Sequence, residues 1–483
     1  MSAAEELEPA LVWERFAELT RIARPSKAEG PAREHVLAWA QDRGLLALTD
    51  AEGNVVVRIP ASAGRETAPT IVLQSHLDMV CERDPESAFD PREGRIDVRV
   101  EDDWVRADGT TLGADNGIGV AAALAVADDP DLEHGPLELL FTVSEEQGLD
   151  GAKALDPSLV TGRLLVNLDG TSDDALTVGC AGSDHTFLSV PLELTPVPPG
   201  HITLGVEVHG ARGGHSGADI AAGRANAIKA LGRVLAAGSA VTSCRLVTLD
   251  GGVSRNAIPR DARAVVAVPA DGAADFRRAA GDELAVIARQ HAGTDDALGV
   301  RFEERAAGAA ASQDATEAAL DLVTAIPTGV VALEPGLATV QTSTCLTVAA
   351  TDDGTLTLAS MSRSSNAAAL DGLLATMNSL ARLGGATIDV RRSYPPWEPA
   401  LGSSLLTTAK GTYARLFGRD PALAVVHGGL ECAVLGQRLQ GVQMISIGPE
   451  IVGPHAPGEK LRISSTQRFY RLLGALLDDL SRY

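Results

Sequence analysis

The sequence predicts an α/β fold in which one discontinuous domain is interrupted by an inserted α+β domain, and three observations carry that prediction. The chain has 483 residues, whereas single hydrophobic cores stop growing near about 250–300 residues, so two domains are expected. Short apolar runs alternate with amphipathic stretches at both ends of the chain, as strands and helices do in a layered architecture. Between those ends, from about residue 185, the texture changes. The boundaries follow as 1–185 plus 396–483 for the outer domain and 186–395 for the insert.

Val12, Phe16, Leu19 and Ala23 share one helical face between Pro9 and Pro25, and a second amphipathic stretch runs from Pro31 to Arg43. The apolar runs NVVVRIP (54–60), IVL (71–73), LELLFTV (137–143) and RLLVNL (163–168) read as strands, with a small-residue helix from Gly117 to Asp128 among them. The insert opens on TPVPPG (195–200), followed by a strand at 202–209, a helix over 223–237 and strands at 244–250 and 263–269. Strands at 344–351 and 355–360 followed by a helix at 366–384 repeat that order loosely, as an internal duplication would. RRSYPPWEP (391–399) forms a rigid exit because proline fixes the backbone. A helix at 402–417, a strand at 442–448 and a terminal helix at 464–481, started by Ser464 or Ser465, complete the outer domain.

Composition narrows the function classes. Acidic residues outnumber basic ones by 64 to 41, and the net charge of −23 repels phosphate backbones and anionic membranes, so neither nucleic acid nor membrane is an expected partner. The apolar share of 45% is that of an ordinary globular protein. Five scattered cysteines without a C-x-x-C pair fit a reducing compartment. The acidic start MSAAEELEPALVWERF is unlike a secretory signal, and no apolar run nears the roughly 20 residues of a membrane span, so a cytoplasmic location is expected.

The chemistry lies at strand ends. His76 and Asp78 follow IVL, Glu145 and Glu146 follow Val143, and Asp169 follows Leu168. Open α/β sheets bind ligands beyond the carboxyl ends of their strands. Asp115 stands in LGADNGIG (112–119) before a helix, and His455 in a Gly/Pro-rich loop after the last strand. A lone His-x-Asp or Glu-Glu pair is ordinarily a solvated turn, but several such positions at strand ends make an N/O site without thiolate. That donor set suits zinc, manganese or cobalt better than calcium. Neither GGHSG (213–217) nor GADNGIG (113–119) has the spacing of a nucleotide loop. Cys81 and Cys432 flank these motifs but lack an activating partner, so both are expected to be packing residues.

The runs SHLDMV (75–80), GADNGIG (113–119), SEEQGLDGA (144–152), NLDG (167–170), GGHSG (213–217), HGGLEC (427–432) and PHAPGEK (454–460) resemble the aminoacyl-histidine dipeptidase (peptidase D, carnosinase-like) family of di-zinc metallopeptidases. Their order and spacing agree with that family along essentially the whole chain. The resemblance implies a mixed-sheet, zinc-exopeptidase-type catalytic domain with an inserted lid and dimerisation domain. It also implies two divalent ions per subunit, with Asp115 bridging, His76 and Asp169 on one ion, and Glu146 and His455 on the other. Glu145 is then the general base, and Asp78 orients His76 through its second ring nitrogen.

On the lid, the same resemblance implies that His215 polarises the scissile carbonyl in the partner subunit of a homodimer. Asn256 and Arg363 would bind the substrate's C-terminal carboxylate, for which an arginine fork is chemically suited. Read without the resemblance, His215 is a glycine-flanked turn histidine, and the lesser alternative for Arg363 is an ordinary surface arginine. His427 and Glu431 fall near the substrate's amino end in the family motif and receive no role. The expected activity is hydrolysis of dipeptides, chiefly Xaa-His. The alternatives are an aminotripeptidase, an N-acyl-amino-acid deacylase, a broad dipeptidase, or a metal-binding scaffold without catalysis. The presence of Glu145 argues against the scaffold, since ligands support folding but a base serves only chemistry.

Overall fold

The computed structural model describes residues 7–482; the first six residues of the acidic N-terminal stretch lie outside that range. The chain divides into two compact units. One comprises the chain through Cys180, Trp397–Val426 and the part from Leu430 onward, and the other comprises Ala181–Pro396 together with His427–Gly429. The short return at His427–Gly429 is absent from the sequence-based boundaries.

The first unit is built on an eight-stranded mixed sheet. Its strands lie in the order Leu46–Thr49, Val55–Ile59, Leu137–Thr142, Ile71–His76, Leu164–Asn167, Gln443–Ser446, Ala175–Cys180, Ala422–Val426. The central four run parallel, and Val55–Ile59 and Ala175–Cys180 turn antiparallel on either side of them. Parallel central strands are covered on both faces and therefore read as continuous apolar runs; every residue of Ile71–His76 and Leu137–Thr142 is buried. The helix Ala114–Asp128 is buried almost throughout and packs on Ala10–Leu19 and on Ile71–His76. Its small residues allow the approach to the first helix: a Cβ at Gly117 would fall 3.3 Å from the Phe16 ring.

A separate four-stranded sheet joins Val98–Glu101 and Trp104–Ala107 to Lys460–Arg462 and Ile451–Val452. It frames the loop that carries His455, and the sequence reading leaves it as loop. The terminal helix runs Ile463–Leu480 without a side-chain cap of its own. Neither Ser464 nor Ser465 starts it: Ser464 lies inside the first turn, where its N–H donates to Asp103 Oδ1 at 2.9 Å, so a carboxylate from elsewhere serves the helix start.

The second unit is a nine-stranded antiparallel sheet with helices packed against it. Its order is Gly299–Glu304, His201–His209, Ala262–Pro269, Arg245–Gly251, Val340–Asp352, Thr355–Ser364, Gly182–Pro191, Thr387–Tyr394, with Gly329–Leu333 added alongside Val340–Asp352. The duplication is longer than the sequence suggests. Strands 245–251 and 262–269, helix Ala273–Gln290 and strand 299–304 are repeated as strands 340–352 and 355–364, helix Ala367–Leu383 and strand 387–394, and the halves meet where Gly251 pairs with Ala349. Leu188, Val206, Val266, Leu346 and Leu358 belong to one core under the helices. RRSYPPWEP is strand through Tyr394, and its prolines stand where the two units divide.

Candidate active site

His76 ends the strand Ile71–His76 and is 1% exposed. Parallel alignment brings the ends of the two neighbouring strands to the same sheet edge, and Glu145, Glu146 and Asp169 follow within a few residues of those ends. Asp115 reaches this edge from the turn before the buried helix. Gly113 takes φ 70° there, and a Cβ would fall 2.7 Å from Met79 Sδ, so the turn requires glycine. The Asp115–Asn116 peptide is cis. Gly170 and Gly448 meet backbone to backbone, with 2.6 Å between a Cβ placed at Gly170 and the Gly448 N–H nitrogen, which draws the loop after Asp169 against the one leading to His455.

The two carboxylate oxygens of Asp115 face the two histidines. Oδ1 lies 3.1 Å from His76 Nε2, and Oδ2 lies 3.3 Å from His455 Nε2. Asp169 Oδ1 is 3.6 Å from the same nitrogen of His76, and Glu146 Oε1 is 2.9 Å from that of His455. Two half-sites share one carboxylate, each completed by a histidine and a further acid. Atoms of His76, Asp115 and Glu146 that could hold a metal ion lie within 4.8 Å of one another.

Asp78 organises the acidic loop. Its Oδ1 faces His76 Nδ1 at 3.3 Å and accepts the Glu145 N–H at 3.0 Å, while Oδ2 accepts the Glu146 N–H at 3.1 Å and the Ser26 hydroxyl at 2.7 Å. Three further groups escaped the sequence reading because their roles depend on long-range contacts. Glu29 accepts the Ser144 N–H at 2.8 Å. Arg24, 1% exposed, donates to the carbonyls of Leu77, Asp78 and Gly113 and so ties the His76 loop to the Asp115 turn. Glu459 accepts the N–H groups of Leu112, Gly113 and Asp115, and it stands four residues after His455 in PHAPGEK. A glutamate inside that motif was the one available signal.

The electrostatics ask for cations. Burial raises Glu145 well above the usual carboxylate range, and the charges of Asp169, Glu431 and Glu146 push it the same way. Burial, reinforced by Asp115, lifts Asp169 to about 7. The hydrogen bond to Asp115 and the adjacent Glu146 carboxylate lift His455 to about 10. Burial opposes protonation of His76, but Asp169, Asp115 and Asp78 outweigh it and raise its pKa. Glu146 Oε1 is buried and faces the His455 nitrogen without hydrogen-bond geometry, as two ligands of one ion would. Excess buried carboxylate around two imidazoles fits divalent metal, and the absence of thiolate fits zinc, manganese or cobalt. All five cysteines are free and buried, and burial pushes the Cys81 thiol up to about 11, so no activated thiol stands beside the site.

The remaining predicted residues belong to the second unit. The strand Gly214–His215 pairs with Ala257–Ile258, and the Asn256 carbonyl accepts the Ser216 N–H at 2.7 Å, so His215 and Asn256 adjoin. His215 Nδ1 accepts the N–H groups of Gly217 and Ala218 at 3.2 and 3.0 Å. That fixes the neutral tautomer with its proton on the exposed Nε2. Burial and the nearby Arg363 charge keep the ring neutral by lowering its pKa. Arg363 is 3% exposed, which excludes the surface-arginine reading.

Arg363 is flanked across the sheet by Ser183 and Ser343, and its Nη1 donates to Tyr394 Oη at 3.4 Å. His427 Nε2 lies 2.6 Å from Ser343 Oγ. Arg363 Nε, Ser183 Oγ, Ser216 Oγ and His427 Nδ1 are all buried without partners. Ser183, Ser343 and His427 thus join Arg363 in a polar cluster, and the two serines escaped the sequence reading because only strand register brings them to Arg363.

The sequence profile of peptidase family M20/M25/M40 matches residues 72–479. The chain belongs to this family. An Escherichia coli member, the cytosol non-specific dipeptidase, is 35% identical over 99% of both chains. The crystal structure of aminoacylhistidine dipeptidase from Vibrio alginolyticus superposes with a TM-score of 0.91 at 33% identity, covering 99% of this M20 chain and 98% of the other. An aminopeptidase from Bacillus cereus has the same fold, with a TM-score of 0.58 at 18% identity over 98% of this chain and 99% of its own. The chain is therefore a metallopeptidase homologue of known dipeptidases, with the mixed α/β fold of M20 peptidases.

Proposed function

We propose that the protein is a two-metal dipeptidase acting preferentially on Xaa-His dipeptides. The observation that carries this reading is Asp115, whose two oxygens are each turned to a different histidine. His76 and Asp169 would hold one ion and Glu146 and His455 the other, with Asp115 shared. Divalent ions held by this set would supply Lewis acidity to the scissile carbonyl and to water. Zinc is the proposed metal, with manganese or cobalt also compatible with the donors.

Glu145 serves as the general base. It stands in the acidic loop next to Glu146 but outside the two half-sites, so its carboxylate would take a proton from water and return it to the leaving amine. Asp78 holds the His76 ring and the Glu145 backbone. From the lid, His215 offers its Nε2–H to the scissile carbonyl, while Asn256 and Arg363 bind the C-terminal carboxylate. The reading includes a homodimer, with His215 supplied by the partner subunit, so that a monomeric variant loses activity.

Among the described residues no helix is long and apolar enough to cross a membrane. A cytoplasmic location is proposed because the Escherichia coli relative is a cytosol dipeptidase. The names of the relatives pull specificity two ways, non-specific and aminoacyl-histidine. The deciding experiment is initial rates on Xaa-His dipeptides, other dipeptides, tripeptides and N-acyl amino acids, before and after chelation and zinc return. Chelator-sensitive, zinc-restored cleavage centred on Xaa-His supports the proposal; preference for tripeptides or acyl amino acids overturns the substrate assignment.

A further inference from the structure

Directly below the ligand ends of three neighbouring strands, Gln74, Thr142 and Asn167 form a polar layer, each 0% exposed. Amides and hydroxyls inside a sheet core are costly unless each finds a partner. Here the partners are one another and Glu431, the glutamate of HGGLEC, which opens the helix Glu431–Arg438 and is 1% exposed. Glu431 Oε2 accepts from Gln74 Nε2 at 2.5 Å and from Thr142 Oγ1 at 2.7 Å. Gln74 Oε1 accepts from Asn167 Nδ2 at 2.6 Å, and Asn167 Oδ1 accepts from the Asp169 N–H at 3.2 Å.

This chain of bonds has a direction. Glu431 Oε2 accepts both of its bonds, whereas a primary amide presents a donor on one side and an acceptor on the other. With Glu431 at its head, Gln74 must turn its NH2 toward the carboxylate and its oxygen toward Asn167. Asn167 must then turn its NH2 toward Gln74 and its oxygen toward the Asp169 backbone. Gln74 and Asn167 are register partners on parallel strands, and each stands two residues before a residue of the site, His76 and Asp169.

We propose that Glu431 is a positioning residue for Asp169, acting through the Gln74–Asn167 relay, and that it tunes the metal affinity of the half-site formed by His76 and Asp169. The inference rests on the proposed role of Asp169 as a ligand. Groups that orient metal ligands from behind typically change affinity by about 10–100-fold when removed.

The test is a zinc competition titration with a chromophoric chelator on Glu431→Ala, Glu431→Gln and Asp169→Asn proteins, alongside kcat and KM. Glu431→Ala is expected to weaken one of the two ions by about 10–100-fold, and Glu431→Gln, whose amide oxygen can accept both hydrogen bonds, to return it to within about threefold of wild type. Asp169→Asn should lose the same ion. A merely structural role for Glu431 would lower the melting temperature without singling out one ion. Two weak ions, or none, in Glu431→Ala overturns the relay, as does a Glu431→Gln protein as weak as Glu431→Ala. If Asp169→Asn keeps both ions at wild-type affinity, the ligand assignment falls and the relay with it.

Discussion

Asp78 accepts the backbone N–H of Glu145 at 3.0 Å with the same oxygen that faces His76 Nδ1 at 3.3 Å. One buried carboxylate therefore orients a predicted metal ligand and the predicted base. Its pKa is depressed to about 2: burial opposes ionisation, but the hydrogen bond with His76 and the charge of His76, with Ser26 and the Glu145 amide, outweigh it. Asp78→Ala is expected to weaken metal binding by about 10–100-fold and to lower kcat even at saturating metal, because the Glu145 loop loses its anchor. Competition titration and steady-state kinetics check both arms.

The metal-free site should make stability depend on pH in a definite direction. Burial raises Asp169 and Glu431 to about 7, so the folded protein holds protons there that an unfolded chain, with ordinary values of 3.8 and 4.5, has already released. His455 rises from 6.5 to about 10 through Asp115 and Glu146, so its contribution is complete below 6.5 and is lost as pH climbs toward 10. All three groups make the metal-free fold less stable as pH rises between about 4 and 10. The chelated protein should melt at lower temperature at about pH 8.5 than at about pH 5.5, and zinc should raise the melting temperature more at the higher pH. A chelated protein that gains stability over this window contradicts the charge assignment.

Arg363 is buried beside Ser183 and Ser343 with its Nε unpartnered. A charged hydrogen bond of about 1.5–3 kcal/mol lost from the substrate carboxylate predicts that Arg363→Ala raises KM roughly 10- to 100-fold. With a C-terminally amidated dipeptide, wild type and variant should converge. Equal losses on acid and amide would remove Arg363 from carboxylate recognition.

His76, Glu146 and Asp169 were legible because they follow apolar strands at the sheet edge where α/β folds bind ligands, and the motifs supply Asp115 and His455. Glu29, Arg24 and Glu459 were not, since nothing local distinguishes an arginine that will bridge two loops from one that will face solvent. Ser464 shows the limit of local capping rules: a good cap residue in sequence was displaced by the start of the helix at Ile463 and by Asp103 from a sheet that periodicity did not reveal. The insert's duplication was visible as a repeated element order, but its full extent needed the strand order, because helices at 273–290 and 313–325 lie outside the elements read from periodicity.

The central claim is that Glu145 moves the proton in a site whose metals it does not hold. Its most direct test is the rate of dipeptide hydrolysis by Glu145→Ala protein shown to carry the wild-type metal complement. The account predicts a fall in kcat of at least about 100-fold, up to about 10,000-fold, with metal content unchanged. A fully metallated variant that retains wild-type turnover would contradict it.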